Sequence, residues 1–176
     1  MSNEQLWAPW RLEYIVGSKD APPAGDPQEL LPGADPECFL CQAMPPGDDR
    51  RRRIVERGEH AVTLLNRYPY NNGHLLIAPK RHVAGLDELG EEVERELSRT
   101  ITRMVGVLDR TLHPQGFNVG LNLGRAAGAG VPGHLHWHIV PRWIGDTNFM
   151  PAIAGVHTIP QSLEALWELL TEELKK

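Results

Sequence analysis

The stretch His134-Leu135-His136-Trp137-His138-Ile139-Val140 sets three imidazoles at alternate positions of a run that otherwise reads as an apolar strand. Side chains at i, i+2 and i+4 of a β-strand share one face and follow one another at about 6.5–7 Å. The alternation predicts that His134, His136 and His138 look one way while Leu135, Trp137 and Ile139 enter a core. Each imidazole takes a place where a buried apolar side chain would contribute roughly 1.5–3 kcal/mol. The face therefore points to metal ligation or covalent catalysis rather than packing. A solvated strand face on which histidine is simply polar is the plain alternative.

Outward from this strand, Phe117, Val119, Leu121 and Leu123 alternate with Asn118, Gly120 and Asn122, which predicts a neighbouring strand with one apolar and one polar face. The loop between the two, Gly124 to Gly133, is rich in small residues that let backbone approach a ligand. Upstream, Leu89, Val93, Leu97, Ile101, Val105, Leu108 and Leu112 recur every three or four residues, so Asp87 to Leu112 reads as a long amphipathic helix closed by Pro114 and Gly116. Arg53 to Glu56, Ala61 to Leu65 and Gly73 to Ala78 read as three short strands. Ser162 caps a final helix to Leu174. Strands that pair as hairpins around one long helix give an α+β class with an antiparallel sheet.

A chain of 176 residues suits one domain. Residues 1–52 form its irregular N-terminal extension, dense in Pro, Gly and acidic side chains between Gly17 and Asp49. A net charge of −5 argues against general nucleic-acid binding, so an anionic ligand must meet a local site. Local positives stand at Arg50 to Arg53, Lys80-Arg81, Arg125 and Arg142, the arginine run reading as a solvated loop. No window of eighteen apolar residues occurs and no basic-then-apolar leader opens the chain, so a cytoplasmic protein with no membrane partner is expected.

The groups around the histidine strand suit phosphate. Asn122 lies on the polar face next door, and backbone N–H groups of the loop around Arg125, Gly128 and Gly130 could line an anion-binding concavity. A neutral imidazole is a competent nucleophile at phosphorus, and its phosphoramidate passes the group on. His136, the flanked middle ring, would attack while His138 donates to a phosphate or leaving-group oxygen. His134 is then free for another task. Cys38-Phe39-Leu40-Cys41 supplies half of a tetrahedral structural zinc site, with His82 and His134 as candidates for the other half. Free structural thiols are the alternative. Redox chemistry is disfavoured because Pro45-Pro46 stops the helix that such a pair would open. His60, His113 and His157 read as surface or turn residues.

The heptad His134 to Val140 resembles the signature of the histidine triad (HIT) nucleotide-binding superfamily, and Leu65 to His74 followed by an apolar strand and Pro79 resembles its nucleotide-binding hairpin. The resemblance implies a five-stranded antiparallel sheet with a long helix and a homodimer joining two sheets. It also implies a covalent nucleotidyl intermediate on His136, a phosphate contact at His138, a ribose contact at Asn66 and a place near the nucleotide for His74. Cys38, Cys41, His82 and His134 resemble the zinc site of bacterial members and of the related galactose-1-phosphate uridylyltransferases. Leu6 to Tyr14, Gly116 to Gly124 and Gly145 to Phe149 look most like the bacterial diadenosine tetraphosphate phosphorylases. In many hydrolytic members a glutamine stands four residues before the first histidine, where this chain has Gly130. The expected substrate is a nucleotide or dinucleoside polyphosphate, with inorganic phosphate as acceptor. Water as acceptor, acting on dinucleoside polyphosphates or nucleoside phosphoramidates, is the second reading. A non-enzymatic nucleotide-binding module and a hydrolase ligating metal through all three histidines are the remaining alternatives.

Overall fold

The structure, a computed structural model, describes residues 29–146 and 159–176. The Leu6 to Tyr14 motif, Thr147 to Phe149 and His157 lie outside the described residues. Two single-turn helices, α1 (Phe39–Ala43) and α2 (Asp49–Arg52), precede strands β1 (Ile54–Arg57), β2 (Ala61–Leu65) and β3 (Leu75–Pro79). Helix α3 (Glu91–Leu112), strands β4 (Gly116–Leu121) and β5 (Trp137–Arg142), and helix α4 (Leu163–Glu173) follow. The five strands form one sheet in the order β1-β2-β3-β5-β4, every neighbouring pair antiparallel. The expected α+β class with its long helix holds.

The sheet separates two cores. On one face Leu65, Leu75, Ile77 and Ile139 pack with Leu97, Met104, Val107 and Leu108 of α3 and Leu166 and Leu170 of α4. On the other, Val62, Leu64, Leu76 and Ala78 pack with Cys38, Leu40, Cys41 and Met44 of the N-terminal segment. That segment covers β1 to β3. The face of β5 and β4 beside it is the one that carries the functional side chains.

Several local expectations are corrected. The stretch read as irregular contains α1 and α2, because Asp48 caps α2 by accepting from the Arg51 N–H and α1 ends at Ala43 before the two prolines. The arginine run is partly helical rather than a loop, with Arg50 and Arg51 exposed to solvent as expected: Arg50 pairs with Glu164 and Glu168 of α4, and Arg52 donates to the Pro45 carbonyl. Helix α3 starts at Glu91, not Asp87, since Leu86–Glu88 is a separate 3-10 turn in which the Glu88 carboxylate accepts from the Ala84 and Gly85 N–H groups. Strand β5 begins at Trp137, so His134 and His136 precede the ladder. A turn bonds the His134 N–H to the Val131 carbonyl, and the Leu135 N–H crosses to Val83. His138 alone of the three is a ladder residue, paired with Leu76.

Candidate active site and metal centre

The histidines divide between two sites. His134 is buried and its Nε2–H donates to the Pro79 carbonyl at 2.8 Å, which leaves the Nδ1 lone pair facing Cys38 Sγ at 3.4 Å and Cys41 Sγ at 3.5 Å. His82 brings its Nδ1 to 3.2 Å from Cys41 Sγ. The four ligand atoms of Cys38, Cys41, His82 and His134 lie within 4.8 Å of one another, so this group could hold a metal ion. Tetrahedral zinc with two sulfur and two nitrogen ligands sets sulfur and nitrogen roughly 3.5 Å apart, close to the separations found. A carbonyl that fixes a ligand imidazole's tautomer is the outer support such sites use. Two thiolates around a divalent cation also make a neutral unit, which suits these buried positions. The donor set fits zinc.

His136 is buried at 6 % exposure, and its Nδ1–H donates to the His134 carbonyl at 2.8 Å. A carbonyl only accepts, so the neutral ring keeps its lone pair on Nε2, where a nucleophile needs it. His138 stands beside it, ring centroids 5.0 Å apart. Behind His138, the Tyr70 N–H and the Asn66 amide donate to His74 Nδ1 at 3.0 and 3.2 Å. His74 Nε2–H must then donate to His138 Nδ1, 2.9 Å away. This relay leaves the His138 proton on Nε2, a buried atom with no hydrogen-bond partner among the described residues. Such orphans are rare and costly. A phosphate oxygen would satisfy this one.

Burial pushes the His74 imidazole down to about 3, with like charge on His138 and His136 adding to it. Burial, then His136, brings His138 down to about 4. Both rings are therefore neutral at pH 7 and can serve as hydrogen-bond relays. In an unfolded chain each takes up a proton once the pH falls below the ordinary value of 6.5; in the folded protein each stays neutral to near its depressed value. Their contribution is thus fully present above pH 7 and is lost as pH falls toward 4, with about 2 kcal/mol per ring gone at pH 5. Thermal unfolding at pH 7.5 and 5.0 should show this fall, and His74→Gln should have a shallower slope than wild type. Equal slopes would contradict the assignment.

His138 opens into a cleft of about 440 Å³ lined with Tyr70, Asn71, Asn118, Asn122, Arg142 and Asp146 among others, a size suited to a small-molecule ligand. Of the residues expected at a nucleotide site, His138 and Asn122 line it. His136 abuts it through His138, and His74 supports His138 from behind. Asn66 is held by the hairpin, its amide on His74 and its oxygen accepting from the Tyr68 N–H. Arg125, Gly128 and Gly130 are exposed and do not line the cleft. Within their loop the N–H groups of Gly128 and Ala129 are already bonded to the Arg125 and Gly124 carbonyls. Gly124 and Gly128 have φ of +77° and +88°, which explains glycine there. Tyr70, Asn71, Asn118, Arg142 and Asp146 escaped the sequence reading as site residues. Extending the alternation from His138 to Val140 and Arg142 would have found one of them.

The α+β sheet with a histidine relay beside a polar cleft agrees with a histidine triad fold, and comparison shows the family. The model of the HIT domain matches residues 49–143, and the chain belongs to the HIT family. It is similar to the AP-4-A phosphorylase of Mycobacterium tuberculosis, 39% identical over 170 residues that cover 97% of this chain and 84% of the relative. The adenosine 5'-monophosphoramidase hnt1 of Schizosaccharomyces pombe is 29% identical over 138 residues, 78% of this chain and 98% of the relative. Among solved structures, a Zn-bound histidine triad family protein from Mycobacterium smegmatis superposes with a TM-score of 0.57 at 27% identity, covering 69% of this chain and 83% of its own.

Proposed function

We propose that the protein is a nucleotidyltransferase that works through a covalent nucleotidyl-His136 intermediate, acting as a diadenosine tetraphosphate phosphorylase. The observation that carries this reading is the paired presentation of His136 Nε2 as lone pair and His138 Nε2–H as orphaned donor. His136 Nε2 attacks the α-phosphorus; the bond to the bridging oxygen breaks and that oxygen leaves on ATP. Throughout, the ring keeps its Nδ1–H on the His134 carbonyl, which disperses the positive charge it gains. His138 Nε2–H meets a phosphate oxygen as negative charge concentrates there. Inorganic phosphate then attacks the adenylyl group, forming ADP and returning the lone pair to His136. The likeness to the mycobacterial phosphorylase supports this choice of substrate.

In this reading Cys38, Cys41, His82 and His134 would hold zinc, which would supply a structural cross-link between three chain segments. Through the His134 carbonyl the same group steadies the nucleophile. In the same reading residues 1–176 are one domain, the enzyme is cytoplasmic and two chains pair; among the described residues no helix is long and apolar enough to cross a membrane. The pairing finds support in Val119 and Leu123, half exposed on or just beyond the edge strand β4. Sedimentation at the mass of one chain would remove the dimer.

Water as acceptor is the competing reaction. Phosphate is favoured by the likeness to the mycobacterial phosphorylase. Product analysis decides. With added phosphate, diadenosine tetraphosphate should give ATP and ADP, and without it turnover should stall or yield ATP and AMP slowly. ATP and AMP at the same rate with and without phosphate would make the protein a hydrolase.

A further inference from the structure

Past His138 the cleft runs on along one face of β5 to Arg142, and this far end is built. Taking His136 as the nucleophile, as proposed above, we infer that Arg142, oriented by Asp146 and Asn118, forms a leaving-group subsite for the oligophosphate of the departing nucleotide. His138, Val140 and Arg142 follow one another at alternate positions, so they share the cleft face, with His138 and Arg142 about 13 Å apart along the strand. Asn118 pairs with Val140 across the ladder, and Arg142 Nη1–H donates to Asn118 Oδ1 at 2.7 Å. That bond draws the guanidinium back toward the level of Val140, about 7 Å from that of His138. A short run of phosphates bridges such a gap.

The fork is fixed before any ligand arrives. Asp146 accepts from Arg142 Nε and Nη2 at 2.6 and 2.9 Å, from the Asn71 amide at 2.8 Å and from the Trp143 N–H at 3.1 Å. Both line the cleft, but the Asp146 side chain is 9% exposed against 43% for Arg142, so the cation is the more accessible of the pair. Of the five guanidinium N–H groups, three are engaged among the described residues, which leaves two for a ligand. Arg142 is also the one arginine or lysine among the described residues lining the cleft. A planar, permanently charged fork with free N–H groups suits a phosphate oxygen pair. A substrate with a small leaving group, such as adenosine 5'-phosphoramidate, places nothing there.

The test compares kcat/KM for diadenosine tetraphosphate and adenosine 5'-phosphoramidate in wild type and in Arg142→Gln/Asp146→Asn, which removes both charges together and orphans no buried carboxylate. The tetraphosphate should lose about ten- to a hundredfold, mostly as a rise in KM, and the phosphoramidate at least about tenfold less. Inorganic tripolyphosphate should bind wild type and bind the double variant about tenfold more weakly by calorimetry. An equal loss on both substrates, no loss on either, or unchanged tripolyphosphate affinity would overturn the subsite. If the double variant unfolds, Asn118→Ala gives the same comparison, since it removes the bond that draws the guanidinium back. Absence of any adenylyl adduct on wild-type His136 with either substrate would instead defeat the nucleophile, while tripolyphosphate binding would still report on Arg142.

Discussion

His136→Ala should lower turnover at least about a thousandfold while nucleotide affinity stays within about tenfold, because the bond to phosphorus exists only along the reaction path. The imidazole is buried and bonded to the His134 carbonyl, so its removal costs stability as well. That cost is about 1–2 kcal/mol for one hydrogen bond and its packing, too little to unfold a domain with two cores. Circular dichroism and nucleotide titration separate the effects. Activity within tenfold of wild type would contradict covalent catalysis, and loss of nucleotide binding would make His136 a ligand contact.

The second large effect is expected on stability. Cys41→Ser should abolish zinc retention and lower the unfolding midpoint by about 10 °C or more, from a loss of about 3–5 kcal/mol. Cys41 is 1% exposed and belongs to the sheet's second core, while its Sγ faces both His82 and His134. Without the ion, three segments lose their cross-link: the α1 turn, the chain after β3 and the turn before β5. The α3 core on the opposite face is untouched, so the domain should remain folded. Metal analysis and calorimetry check this. A variant that melts like wild type and still holds one zinc per chain would contradict the assignment of Cys41 as ligand.

Much of this was legible in the sequence, for identifiable reasons. Alternation and helical periodicity are local signals, so the strands, α3 and α4 could be read directly, with Ser162 capping α4 through the Ala165 N–H as expected. Cysteine spacing plus histidine position found the metal group because few chemistries use that donor set. Hidden from the sequence were contacts made by backbone: the Pro79 carbonyl on His134 and the His134 carbonyl on His136 carry no residue signature. The same holds for the division of the triad. Strict alternation could not reveal that β5 starts at Trp137, since the turn at Val131 to His134 and the pull of the cysteines are tertiary. Asp146 paired with Arg142 is likewise a loop folded back on its own strand, which periodicity does not register.

The claim on which the rest stands is that His136 Nε2 carries the nucleotidyl group between donor and acceptor. Mass spectrometry of protein quenched during turnover of diadenosine tetraphosphate without phosphate tests it most directly. An adenylyl group on the peptide containing His136, discharged to ADP when phosphate is added, is the expected result. Steady turnover with that peptide unmodified at every time sampled, or an adduct on His138 instead, would contradict it.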